Sequence, residues 1–301
     1  MALVRWAILI VFGGTCGWAQ AREIALTFDD APEVSDAFYE SHARSRDLLR
    51  KLTELEVPQV IIFANGCRQP KASFVLEELA TYRKRGDRIA NHTCHHVRLD
   101  DVGPDALIAD IKRNEQLLQP LLDLGQKFFR FPYSNEGSDP KVRDQLRDWL
   151  DANHFRNGLF SIDDADYIFS QKIQGHALAD VLRLRSLYVR YLMGAVAFYD
   201  QLAVKTIGYS PKHVMLLHEK DATVLFVDAF IKELRSHKWH IIAADKAYED
   251  PLYKKRPKNT YSGFGLIAQL AFEKTGKKIH FDHDEDLERD IARVLEHPAA
   301  R

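Results

Sequence analysis

A chain of 301 residues with 46% hydrophobic and 28% charged side chains is globular, and this composition excludes a mainly disordered protein. The length suits one large α/β domain or two small ones. A formal net charge of −1 excludes the basic footprint of a nucleic-acid binder.

Residues 1–21 read as a secretory signal. Arg5 supplies the positive n-region, Trp6 to Phe12 form an apolar stretch too short to span a bilayer, and Ala19-Gln20-Ala21 is a small-x-small cleavage site. Cys16 follows Gly14-Thr15, a poor lipoprotein match, so free export is expected over a lipid anchor. The expectation is a secreted or periplasmic protein without stable membrane insertion after cleavage. Export leaves Cys67 and Cys94 where a disulfide can persist; whether they pair depends on a distance the sequence does not give.

Short apolar runs then alternate with helical periodicity. Strands are expected over Ile24–Phe28, Gln59–Phe63, Arg88–Ala90, Lys127–Arg130, Gly158–Ile162, His213–Leu217 and Trp239–Ala243. Helices are expected over Ala43–Leu55, Ala72–Arg85, Pro104–Leu118 and Val224–Ser236. This alternation means βαβ units and a parallel sheet, and seven strands suit a barrel-like closure. Between Tyr167 and His213 the spacing from Leu178 to Leu202 suits a long amphipathic helix packed on the barrel. After Asp250 the composition shifts to a basic loop, Lys254–Lys258, and two short helices, Leu266–Phe272 and Glu285–Leu295. The acidic His280–Asp286 segment reads as solvated surface rather than a metal site.

The first run ends in Asp29-Asp30. Adjacent carboxylates raise each other's pKa, and burial without a partner is costly, so a cation is implied: a basic side chain or a metal ion. A helix N-cap ahead of Pro32 is the bland alternative. The later runs also end in polar groups: Asn65, Asn91 to His96, Arg130, Asp163-Asp164-Ala165-Asp166-Tyr167, His218 and Asp245. In parallel α/β folds the carboxyl ends of the strands form the active face. His92 and His96, four apart, share one face of a helical turn and reach one metal ion; His95 then points elsewhere, in a structural role. One Asp with two His suits Zn²⁺ and tolerates Co²⁺ or Ni²⁺, with positions left open for water and substrate.

Five segments in order resemble the motifs of the polysaccharide deacetylases with a NodB-homology domain, carbohydrate esterase family 4. They are Thr27-Phe28-Asp29-Asp30, His92-Thr93-Cys94-His95-His96, Arg130-Phe131-Pro132-Tyr133, Asp163-Asp164-Ala165-Asp166-Tyr167 and Leu216-Leu217-His218. The resemblance implies a distorted (β/α)7-type barrel of parallel strands, expected over 22–250; the tail, 251–301, is expected as a C-terminal helical extension packed on the same domain. It implies that Asp30, His92 and His96 hold the metal and that Asp29 is the general base, paired with Arg130. It gives the Tyr133 backbone N–H an oxyanion role, and makes His218 the general acid, oriented by Asp166. Leu216 would line the acetyl pocket, and Tyr133 and Tyr167 would face the sugar. Ala31 stands where the family usually has Gly, and Tyr167 where Trp is usual.

The implied activity is hydrolytic removal of acetyl groups from N-acetylglucosamine residues of an acetylated glycan, peptidoglycan or a chitin-type oligosaccharide. An O-acetyl esterase acting on acetylated xylan is the alternative within the enzyme class. A carbohydrate-binding pseudoenzyme is the alternative outside it, and a plain metal-binding protein leaves Arg130, Asp166 and His218 unexplained.

Overall fold

The run Ile24-Ala25-Leu26-Thr27-Phe28 is fully buried, as a β-branched and aromatic strand covered on both faces must be. Each large apolar side chain so placed contributes about 1.5–3 kcal/mol relative to exposure. A computed structural model describes residues 22–296 except 34, 35, 70, 124, 282 and 283. The expected signal, 1–21, and part of the His280–Asp286 segment lie outside the described residues.

The first half runs β1 (Arg22–Ala31), α1 (Ser41–Glu54), β2 (Ile61–Ala64), α2 (Ala72–Arg85), β3 (Arg88–Asn91), α3 (Leu99–Val102), α4 (Pro104–Leu118), β4 (Lys127–Phe129) and α5 (Pro140–Ala152). The second runs β5 (Phe155–Asn157), α6 (Asp166–Lys172), α7 (Leu178–Val181), α8 (Arg185–Ile207), β6 (His213–His218), α9 (Asp221–Ser236), β7 (Trp239–Ile241), α10 (Ala244–Ala247), α11 (Gly265–Thr275) and α12 (Asp284–Glu296). Local chemistry fixes the ends. Pro104 opens α4, where its missing N–H costs nothing. Gly86, at φ 97°, closes α2, with Asp87 N–H donating back to the Tyr82 carbonyl.

The strands form one parallel sheet in the order β5-β4-β3-β2-β1-β6, with β7 paired to the first residues of β1. Past β5 the chain crosses over to β6: Ser161 N–H donates to the Val214 carbonyl, and Leu216 N–H to that of Ile162. This bridge closes the sheet into a distorted barrel.

Two expectations change here. The strand expected over Gly158–Ile162 is instead Phe155–Asn157, and residues 158–162 make the crossing. At the start of this crossing Gly158 packs so tightly on Phe63 that a Cβ would sit 2.4 Å from the ring. The seventh strand does not deliver Asp245 to the active face; Asp245 accepts from Arg88 at the start of β3. The long helix is present as α8. Its apolar face, including Tyr188, Leu192, Tyr199 and Leu202, is buried in the core as expected, and α11 packs on it.

Candidate active site

β1 does not stop at Phe28. It runs on through Asp29, Asp30 and Ala31, and its pairing with β2 slips between Asp29 and Ala31. Asp30 is the extra residue, at φ 70°. A bulge breaks the in–out alternation of a strand, so both carboxylates turn to the same place. Asp29 Oδ2 lies 3.5 Å, and Asp30 Oδ1 3.9 Å, from Nε2 of His92. The expectation that the strand ends before the pair is corrected, and the N-cap reading goes with it.

His92 and His96 follow β3, but not on a helical turn. The segment is an irregular loop with Thr93 at φ 63° and His96 at φ 56°. Asn65, beyond the end of β2, shapes it by donating to the carbonyls of His92 and Thr93. The His92 ring is oriented by the Arg130 carbonyl, 2.8 Å from its Nδ1, leaving Nε2 toward the carboxylates. Nε2 of His96 is 3.2 Å from Asp30 Oδ1. Asp30, His92 and His96 thus present three ligand atoms within 4.8 Å of one another. His95 turns away to Asp110.

This trio fits a divalent metal. Asp30 Oδ1 is buried without a hydrogen-bond partner, with Arg68 Nη1 at 3.5 Å as a cationic neighbour, so it keeps lone pairs for a metal ion. Burial lowers the pKa of His92 and of His96 to about 4 against the opposing pull of Asp30, so both rings are neutral and can donate a lone pair. Burial disfavours the Asp30 carboxylate, but His96, Lys220 and their neighbours outweigh it and hold its pKa below the usual range.

Asp29 has a different environment. Arg130 Nη1 donates to its Oδ1 at 2.6 Å. The guanidinium is itself fixed: Nε donates to the Gly158 carbonyl, Nη1 to Thr27 Oγ1, Nη2 to the Tyr248 hydroxyl, and the group lies 3.9 Å over the Phe63 ring. Burial lifts the Asp29 pKa and Arg130 pulls it back, leaving it at about 6. Two adjacent carboxylates therefore have separated pKa values.

Across the cleft, His218 at the end of β6 donates from Nδ1 to Asp166 Oδ1 at 2.6 Å. Asp166, fully buried at the start of α6, also accepts from the His218 backbone and from Thr223. Burial opposes the charged ring, but Asp166 outweighs it and raises the His218 pKa to about 9. The cleft encloses about 480 Å³. Leu216, Tyr133 and Tyr167 line it. The Tyr133 ring packs on His96 and that of Tyr167 on His218, with centroids 4.6 and 5.5 Å apart.

Six lining residues escape the sequence reading, Ser134 and Gln171 among them. Arg68 and Lys220 approach Asp30 at 3.5 and 3.4 Å and share Glu33. Gly263 and Phe264, from the segment before α11, form part of the wall. Gly263 N–H donates to the Ser134 carbonyl, which ties that segment to the loop bearing Tyr133. Only Lys220, two residues beyond His218, carried a signal in its spacing.

A family model described as polysaccharide deacetylase matches residues 18–149. That match covers less than half of the chain and stands as a similarity to the polysaccharide deacetylases. A peptidoglycan-N-acetylglucosamine deacetylase of Bacillus cereus is 28% identical over 145 residues, 48% of this chain. The chain spans 46% of that relative's length. Among solved structures, the catalytic domain of a peptidoglycan N-acetylglucosamine deacetylase from Eubacterium rectale superposes with a TM-score of 0.53 at 17% identity, over 75% of this chain and 89% of that one. The peptidoglycan deacetylase PdaC of Bacillus subtilis does so with 0.52 at 18%, over 76% and 91%. The fold is thus that of these deacetylases. The family match contains Asp29, Asp30, His92, His96 and Arg130, and stops before Asp166 and His218.

Proposed function

We propose that this protein is an exported, zinc-dependent hydrolase that removes acetyl groups from N-acetylglucosamine residues of peptidoglycan or a chitin-type glycan. The observation that carries this reading is the split of Asp29 from Asp30: one carboxylate hydrogen-bonded by Arg130, the other turned toward two neutral imidazoles, with Arg68 and Lys220 as longer-range ion-pair neighbours. The Bacillus cereus relative, named for peptidoglycan, supports the substrate class.

Asp30, His92 and His96 would hold the metal, which supplies Lewis-acid polarisation and lowers the pKa of a water. Asp29, ionised above a pH of about 6, takes the proton of the attacking water. The Tyr133 backbone N–H, at the turn set by its φ of 56°, supports the oxyanion that develops on the amide. His218, protonated below a pH of about 9, gives its proton to the leaving amine nitrogen. Water adds to the carbonyl carbon, the C–N bond breaks, and acetate and a free amine leave. Leu216 covers the acetyl methyl, and the faces of Tyr133 and Tyr167 take the sugar ring.

Export belongs to the same reading and rests on Arg5, the Trp6–Phe12 run and Ala19-Gln20-Ala21. N-terminal sequencing of the mature protein tests it, with Arg22 expected first. Acetate release tests the activity, from peptidoglycan, chitin oligomers and acetylated xylan. Release from the first two supports the proposal. Release from xylan alone makes the protein an O-acetyl esterase, and release from none, with metal bound, makes it a binding protein.

A further inference from the structure

Cys67, after β2, and Cys94, in the loop between His92 and His96, form a disulfide. The two loops meet without its help. Cys67 N–H donates to the Cys94 carbonyl at 3.0 Å, and the Asn65 amide donates to the carbonyls of His92 and Thr93. The Cα atoms of the two cysteines are 4.8 Å apart. Opening the sulfur bridge therefore leaves both thiols side by side on a hydrogen-bonded frame.

A third donor stands beside them. A ring nitrogen of His95 and both sulfurs all lie within 4.8 Å of one another. A disulfide has no use for an imidazole. The ring is also held: Asp110 Oδ1 is 2.5 Å from His95 Nδ1, and Asp110 Oδ2 accepts from the His95 backbone N–H at 2.9 Å. A carboxylate on one ring nitrogen is the arrangement that orients metal-binding histidines and makes the other nitrogen a better donor. Cys94 is buried, Cys67 half-buried and His95 exposed, so the trio opens to solvent on one side.

We propose that Cys67, Cys94 and His95 form a second metal site, closed while the disulfide is intact and opened by its reduction. A dithiol or phosphine reductant supplies two electrons; the S–S bond breaks, the sulfurs take up two protons, and the reductant is oxidised. A thiophilic dication such as Zn²⁺ then displaces the thiol protons. It is held by two thiolates and one imidazole, a soft set distinct from the Asp30, His92 and His96 trio, with a fourth position open. The two sites share one loop, so the redox state of Cys94 acts on the segment that carries the first site. This inference does not depend on the proposed activity.

Cobalt(II) is the probe, added to the oxidised chain and to the chain reduced by a phosphine that is then removed. Reduction is expected to add one equivalent of bound Co²⁺ and a thiolate-to-cobalt charge-transfer band missing from the oxidised protein. Cys67→Ser is expected to lose the extra equivalent, and His95→Ala to weaken it by about tenfold or more. The readout is a difference, so it stands whether or not the first trio binds metal. Equal Co²⁺ stoichiometry in the two states, with free thiols confirmed, overturns the proposal. So does loss of near-ultraviolet circular dichroism on reduction, because the site needs the loops to stay paired. An unchanged affinity in His95→Ala removes His95 from the site.

Discussion

Asp166 holds His218 by both carboxylate oxygens: Oδ1 accepts from the ring Nδ1–H at 2.6 Å, and Oδ2 accepts from the backbone N–H at 2.8 Å. The second bond fixes the backbone from which the ring projects, so position and charge come from one side chain. The His218 pKa is raised from 6.5 to about 9 despite burial. A group whose pKa rises on folding stabilises the fold fully below its unfolded value, and that contribution fades as pH climbs through the folded one. In Asp166→Asn the metal-free protein should therefore show His218 titrating well below 9 in an NMR pH series. Its alkaline limb of kcat should move to lower pH, with a loss of about 10²–10⁴ in rate. An unshifted limb would remove Asp166 as the orienting group.

Asp29 and Arg130 make separable predictions. Asp29→Asn keeps the shape of the pair and the three candidate ligands, so metal affinity by calorimetry should hold while kcat falls by about 10²–10⁴. Arg130→Ala strands the buried Asp29 carboxylate and frees the guanidinium's three other hydrogen-bond partners; urea denaturation should show a loss of about 3–5 kcal/mol. The double variant should recover part of that loss, since no uncompensated charge remains. Near-full activity in Asp29→Asn would end its assignment as the base.

Metal binding should be visible as stability. A ligand bound only by the native state adds about 2.7 kcal/mol at 100 times its Kd. The wild-type melting midpoint is expected to rise with added Zn²⁺ and to fall back with a chelator. In His92→Ala and His96→Ala the rise should be much smaller, because each loses one of three ligands. A full zinc-dependent rise in either variant would place the metal elsewhere.

The parts legible in the sequence are those where local signals and burial agree. α2 ends where Gly86 dictates and α4 begins where Pro104 does, and the candidate site residues end or follow strands whose apolar runs are unbroken. α5 is different. Its Asp139-Pro140 start is a clear helix signal, with Asp139 capping Lys141 N–H, but its inward face carries Arg143 and Arg147. Both are buried, on the carbonyls of Lys258 and Pro257 and on Glu136. Buried arginines read as a polar face, so the periodicity hides the helix. The bulge at Asp30 and the loop at His92–His96 were also illegible, because each is set by pairing across strands. Phe264 reaches the cleft only through tertiary packing, which no local pattern records.

Gly158 tests how far the support of the site extends. Its carbonyl accepts from Arg130 Nε at 2.7 Å, and its Cα side presses on the Phe63 ring that carries the Arg130 guanidinium. A methyl at this position would meet the ring at 2.4 Å and the Phe129 carbonyl at 3.2 Å, so the aromatic ring must move. Overpacking of this kind costs about 1–3 kcal/mol. The displaced ring tilts the guanidinium away from Asp29, so Gly158→Ala should lower kcat while metal affinity stays close to wild type. Adding Phe63→Leu opens the space and should restore much of the stability but not the platform under Arg130. If Gly158→Ala shows wild-type kcat and an unchanged urea midpoint, Phe63 does not transmit packing to the Asp29–Arg130 pair.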